Sequence, residues 1–134
     1  LWVHTAIHAG PLSPVDHLDQ KDWKKSVSIN LDAMSNLVPY IAPLLRRDGS
    51  AVFFEDTHGG EKFFGHYGTT KAAQISLAKS WQAETASIGP KVKILTPQPM
   101  VTHLRARFFP GEDRSALALP KDEAARLLPE ILAR

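Results

Sequence analysis

The chain has 134 residues, 43% of them hydrophobic, with a formal net charge of +2 and no cysteine. This length suits one domain with a single core, and neither a basic run nor an apolar run of about 20 residues is present, so we expect no nucleic-acid or membrane partner. The lack of cysteine excludes disulfides, thiolate catalysis and cysteine metal sites, and it fits a cytoplasmic protein.

The first predicted element is a strand over residues 1–7, which are apolar and β-prone as in a buried parallel strand. Because a strand pattern starts at once and residue 1 is Leu rather than Met, we expect further residues upstream. A loop with glycine and prolines follows over residues 8–14. A helix is predicted to start at Asp19 or Gln20.

A second helical stripe packs on the sheet, with apolar positions at Met34, Leu37, Val38, Ile41, Leu44 and Leu45. Pro39 and Pro43 should kink or shorten this helix. The remaining pattern predicts strands at 51–54 and 92–95 and helices at 67–87, 102–108 and 120–134. The order β-α-β-α-β-α indicates a single α/β domain over residues 1–134, with a parallel sheet and right-handed crossovers.

The most informative pair is Tyr67 and Lys71, at the start of the long predicted helix. Four residues apart, they share one helix face. We expect the ammonium to lower the pKa of the phenol, so that Tyr67 acts as a general acid/base near neutral pH. This is the chemistry of a carbonyl/alcohol redox enzyme that takes its hydride from a nicotinamide. A glycine-rich dinucleotide loop, however, does not occur in the sequence.

The chain resembles the short-chain dehydrogenase/reductase family over essentially its whole length, but only the second half of that family's domain. Tyr67 and Lys71 match its Tyr-x-x-x-Lys signature, and residues 97–102 resemble its Pro-Gly-x-x-x-Thr loop. Residues 3–7 resemble its Asn-Ala-Gly motif, with Thr5 replacing the asparagine and Ile7 the glycine. The resemblance implies an incomplete Rossmann-type, doubly wound parallel sheet, the 4-5-6 half, with helices on both faces. The glycine-rich half lies outside these residues.

The resemblance implies an NAD(P)-dependent oxidoreductase that interconverts a small carbonyl compound and an alcohol. Tyr67 would protonate the carbonyl oxygen, and Lys71 would bind the nicotinamide ribose. Asn30 would hold a relay water through its backbone carbonyl. The implied cofactor, NAD or NADP, would also contact Thr5, Ala6, Pro97 and Thr102. A homodimer or homotetramer is expected by the same resemblance.

Several alternatives remain open at this level. Asn30 is either the relay residue or a structural hydrogen-bonding group. Thr102 serves the cofactor, caps a helix, or does both. The family's catalytic serine falls near Asp56 or Thr57. A hydroxyl at Thr57 could donate a hydrogen bond, whereas an ionised Asp56 could not. These departures support a second hypothesis, a non-catalytic binding or assembly module.

No metal is expected. His4 and His8 are four residues apart, but they fall on a predicted strand and its exit loop, with no third ligand close by in sequence.

Overall fold

The computed structural model describes residues 1–133. Three parallel strands form one sheet in the order β1-β2-β3, and they are Trp2–Val3, Ser50–Phe54 and Lys91–Leu95. In the register of the ladder, Ala51 of β2 pairs with Trp2 on one side and with Val92 on the other. The predicted parallel α/β arrangement is therefore confirmed.

Strand β1 is shorter than the strand predicted over residues 1–7. The backbone N–H of His4 still donates to a carbonyl of β2 at 2.9 Å, but Thr5 is exposed. The backbone of His8 instead bonds with the side chain of Asn30, at 2.7 and 2.8 Å. The chain leaves the sheet because its next backbone groups pair with a helix and not with β2.

The first helical region is continuous and consists of α1 at Gln20–Val27, a π-helical turn at Ser28–Asp32, α2 at Ala33–Ile41 and a 3₁₀ turn at Ala42–Leu44. Asp19 caps α1, and its carboxylate accepts from two backbone N–H groups at 2.9 Å. Pro39 lies inside α2, which ends two residues later as its last turn tightens. The predicted shortening is confirmed, whereas the sequence pattern did not indicate the π-helical turn.

The remaining helices are α3 at Gly65–Thr85, α4 at His103–Phe108 and α5 at Pro120–Leu132, with 3₁₀ turns at Val15–His17 and Arg114–Ala116. Each helix starts within two residues of its predicted position. Thr102 caps α4, and its hydroxyl oxygen accepts from the backbone N–H of Arg105 at 3.1 Å. Within residues 1–133, no helix has the combination of length and apolar character that crossing a membrane requires.

Helices cover both faces of the sheet. Between the sheet and helices α2 and α3 lies a core of Met34, Ala51, Phe53, Ile75, Ala78, Trp81 and Val92. On the opposite face, Val52 and Leu95 pack with Leu127 of α5. Successive residues of β2 thus enter opposite layers, as the pleat requires. This confirms the doubly wound architecture, and it leaves the carboxyl ends of the strands free to form a site.

Candidate active site

A cavity of about 630 Å³ opens at the carboxyl ends of the strands, beside the start of α3. Parallel strands deliver the loops that follow them to the same edge of a sheet, so residues far apart in sequence meet there. The wall includes His4, Thr5, Asp56, Thr57, His58, Tyr67, Lys71, Pro97, Thr102, Arg105 and Phe108. Its volume is that of a small-molecule site.

Helix α3 brings Tyr67 and Lys71 to this cavity from its first two turns. Both are buried, with exposed fractions of 5% and 7%. The ring of Phe108 packs on Tyr67, with the ring centroids 5.1 Å apart, and Phe64 packs on the same cluster. The phenol is thus fixed in an apolar setting, with its hydroxyl group at the cavity.

The loop after β2 places Asp56, and not Thr57, against the phenol. The Tyr67 hydroxyl donates to Asp56 Oδ2 at 2.7 Å. The other oxygen, Oδ1, accepts from the backbone N–H of His58 at 3.1 Å and contacts the ring Nδ1 of the same residue. Thr57 is exposed at the cavity wall. A carboxylate therefore occupies the place where the family resemblance implied a serine hydroxyl.

These contacts set the proton affinities of the site. Burial by itself would raise the pKa of Asp56, but the hydrogen bonds from Tyr67 and His58 outweigh it and lower that pKa. Burial, followed by the hydrogen bond to Asp56, raises the pKa of Tyr67 above its usual value. The prediction that Lys71 lowers the pKa of the phenol is therefore wrong for this structure, because burial, and then the carboxylate that holds the phenol's proton, raise that pKa.

The charged end of Lys71 is held by a residue that the sequence analysis missed. Lys71 Nζ donates to Gln74 Oε1 at 2.7 Å, and Gln74 Nε2 donates to the backbone carbonyl of Asn30 at 2.7 Å. The same Nε2 lies 3.3 Å from Nε2 of His4. Gln74 is fully buried, at 0% exposure. Burial lowers the pKa of Lys71 to about 8, against the opposing charge of Asp56.

Asn30 is a structural anchor in this arrangement. Besides the two bonds to His8, its side-chain Nδ2 donates to the hydroxyl oxygen of Thr70 at 2.9 Å, and Thr70 donates to a backbone carbonyl of α3. The π-helical turn thus ties the loop after β1 to α3. The backbone carbonyl of Asn30, which the family resemblance assigns to a relay water, accepts the amide of Gln74.

Of the predicted cofactor contacts, Thr5, Pro97 and Thr102 line the cavity. Ala6 does not: it is exposed, and the wall includes its neighbours Thr5 and Ile7.

The loop that carries Pro97 is held from behind by α5. The backbone N–H of Gln98 donates to Glu123 Oε1 at 2.8 Å, and the Glu123 carboxylate also pairs with Arg126. The bond from Arg126, then that from Gln98, lower the pKa of Glu123 to about 2. Glu123 was also missed from the sequence. Its position on the fifth helix is 25 residues from its loop partner.

Within residues 1–133, no group of three or more His, Asp or Glu side chains is placed to hold a metal ion.

A parallel sheet covered on both faces, with a Tyr–Lys pair on a helix at its carboxyl edge, defines a Rossmann-like domain. The sequence model of the family described as short chain dehydrogenase matches residues 4–113. The chain belongs to this family, whose members are NAD(P)-dependent oxidoreductases.

Individual relatives agree with this assignment. An uncharacterized short-chain type dehydrogenase/reductase of Sinorhizobium fredii is 28% identical over 116 residues, which are 81% of this chain and 46% of that protein. A short chain dehydrogenase of Salmonella enterica serovar Typhi superposes with a TM-score of 0.87 at 28% identity, over 94% of this chain and 54% of that one. A protein of Escherichia coli CFT073, crystallised as a complex with NADPH, superposes with a TM-score of 0.84 at 26% identity, over the same shares. The chain thus spans about half the length of these proteins.

Proposed function

We propose that this chain forms the catalytic half of an NAD(P)-dependent oxidoreductase that interconverts a small carbonyl compound and an alcohol. Tyr67 is its general acid/base. The observation that carries the proposal is the buried Tyr67 hydroxyl at the wall of a cavity of about 630 Å³, with the Lys71 cation in the same wall. A proton donor on an apolar wall is what polarisation of a carbonyl oxygen requires.

The cavity residues fit the nicotinamide end of the cofactor, which supplies the hydride when bound. An ammonium group has three hydrogens to donate, and one hydrogen bond from Lys71 is made, to Gln74. With a pKa of about 8, Lys71 is mostly charged at neutral pH, so it can also bind ribose hydroxyl groups. Thr102 and Pro97 approach from the loop after β3, and Thr5 from the loop after β1. The family uses either NAD or NADP, and our proposal includes both.

A non-catalytic binding or assembly module is the second candidate. One observation favours it: the phenol proton is donated to Asp56, and the pKa of Tyr67 is raised. The Tyr67 hydroxyl can donate to a substrate only after its hydrogen bond to Asp56 is broken. The expected homo-oligomer stays a prediction, and the exposed Leu37, Tyr40 and Leu44 are compatible with it.

Substitution of Tyr67 by Phe separates the two candidates. The variant keeps the ring packing and removes the proton, so turnover of small aldehydes and ketones with NADH or NADPH should fall by a factor of about 10²–10⁴. Tyr40→Phe is the matched control, because Tyr40 is 77% exposed and outside the cavity wall. Equal activity in the two variants, with both still folded, would support the module instead.

A further inference from the structure

We propose that His58 exchanges the proton of Tyr67 with solvent through the carboxylate of Asp56. This inference rests on the proposed oxidoreductase function and adds the route by which the phenol regains its proton after each turnover. It gives His58 a part in the reaction.

On the inner side of the site, an amide separates Lys71 from the backbone carbonyl of Asn30. Lys71 Nζ and the carbonyl of Asn30 are joined through the side chain of Gln74, with both contacts at 2.7 Å. A primary amide neither gains nor loses a proton near neutral pH. A path from Lys71 along this side therefore ends at a group that cannot pass the proton on.

The outer side offers a connected path. The Tyr67 hydroxyl bonds to Asp56 Oδ2 at 2.7 Å, and Oδ1 of the same carboxylate contacts Nδ1 of His58. The side chain of His58 is 21% exposed, and all three residues lie in the cavity wall. An imidazole changes its protonation state in the physiological pH range more readily than any other unperturbed side chain. The three groups thus lead from the buried phenol to water.

The loop holds this geometry in place. The His58 ring stacks on Phe64 at a centroid distance of 4.7 Å and an interplanar angle of 25°. The backbone carbonyl of His58 lies 3.0 Å from the position that a Cβ on Gly68 would take. Because residue 68 is glycine, the loop that carries His58 can lie against α3 next to Tyr67.

The charges around the path are mixed. Glu61 Oε2 lies 3.9 Å from His58 Nε2, and its side chain is 55% exposed. Arg105 lines the same cavity, but its guanidinium pairs with Glu112 at 2.7 Å. The charge of Lys71 also acts on Asp56, from the inner side. The Asp56 carboxylate thus contacts a cation when His58 is protonated, and it also interacts with the charge of Lys71.

The proton balance closes without a further reactant. In carbonyl reduction, the substrate carbon receives the hydride, and the proton of Tyr67 moves to the substrate oxygen. The phenolate then takes a proton from the Asp56 carboxyl group, which has taken one from Nδ1 of protonated His58. The carboxyl group turns about its Cβ–Cγ bond between the two transfers, because they use different oxygens. Neutral His58 regains a proton from water, and alcohol oxidation reverses each transfer.

The test compares His58→Ala with His17→Ala. His17 also bonds to a neighbouring carboxylate through Nδ1, at 2.9 Å, but it is exposed and outside the cavity wall. We expect His58→Ala to lower steady-state turnover by about 10–100-fold, within the usual range for lost proton transfer, and added imidazole to restore part of it. The first turnover after mixing should keep its rate, since Tyr67 is already protonated. In Asp56→Asn, which breaks the path, imidazole should restore nothing.

A second readout does not depend on activity. ¹⁵N shifts of His58 should show a proton on Nδ1 in the unsubstituted protein, and Asp56→Asn should change them. Shifts that Asp56→Asn leaves unchanged would overturn the shuttle, and so would equal turnover in the two histidine variants or a loss that imidazole does not repair. If the unsubstituted protein shows no turnover although its Nδ1 proton is present, the proposed function itself fails.

Discussion

Replacement of Gln74 by Leu tests the buried amide that joins three parts of the site. Gln74 bonds to Lys71 Nζ and to the carbonyl of Asn30, both at 2.7 Å, and lies 3.3 Å from the His4 ring nitrogen. Leu has a similar volume and no polar atom. The substitution therefore leaves an ammonium group, a carbonyl and an imidazole nitrogen without this partner in a buried space.

The magnitude follows from those three groups. Each buried polar group that loses its partner costs about 1–3 kcal/mol, with charged groups at the upper end. The apolar Leu side chain returns about 1.5–3 kcal/mol through its own burial. We therefore expect Gln74→Leu to lower the free energy of unfolding by about 4 kcal/mol. This is a large share of the stability of an ordinary domain.

Urea unfolding at pH 7 measures the difference, with Gln82→Leu as the matched control. Gln82 lies on the same helix, is exposed, and makes one bond, to the carbonyl of Val92 at 2.7 Å. Its loss should cost about 1 kcal/mol. If Gln74→Leu costs no more than Gln82→Leu, the amide does not hold Lys71, and the bridge from Lys71 through Gln74 to Asn30 is refuted.

Two more predictions concern α3. The first concerns Lys71, whose pKa in the folded chain is about 8. Because Lys71 of the folded chain loses its proton at a lower pH than Lys71 of the unfolded chain, the free energy of unfolding rises with pH between about 8 and 10. Relative to Lys71→Met, the unsubstituted protein should gain about 2 kcal/mol over that interval in urea unfolding, and parallel stability curves would contradict this. Gly68→Ala puts a Cβ 3.0 Å from the His58 carbonyl, whereas Gly111→Ala meets nothing within 4 Å. Gly68→Ala should displace the loop that carries His58 and lower turnover, whereas Gly111→Ala should not. Equal turnover in the two variants would contradict this prediction.

The element order and the Tyr67–Lys71 pair could be predicted from sequence because both follow from short-range regularities. Apolar runs and helical stripes locate strands and helices, and a spacing of four fixes two side chains on one helix face. The same rules fail at the end of β1. There the outcome depends on a bond between His8 and Asn30, which are 22 residues apart.

The chemistry of the site depends on contacts that no local pattern encodes. Gln74 looks like an ordinary polar residue of a helix, and its role follows from partners 44 and 70 residues away, Asn30 and His4. Likewise, the sequence showed Asp56 and Thr57 as equal candidates. The course of the loop over Gly68 turns Asp56 toward the phenol. Burial of Tyr67, and then this contact, reverse the predicted direction of its pKa shift.

The π-helical turn at Ser28–Asp32 has a consequence for how this region is compared with other proteins. A π-turn holds one residue more than the α-helical turn it interrupts. A single helical wheel therefore cannot describe α1 and α2 together, since their faces are offset by about 100°. Aligned with an uninterrupted helix, the region needs a gap of one residue. Without that gap, every residue of α2 is matched to the wrong neighbour.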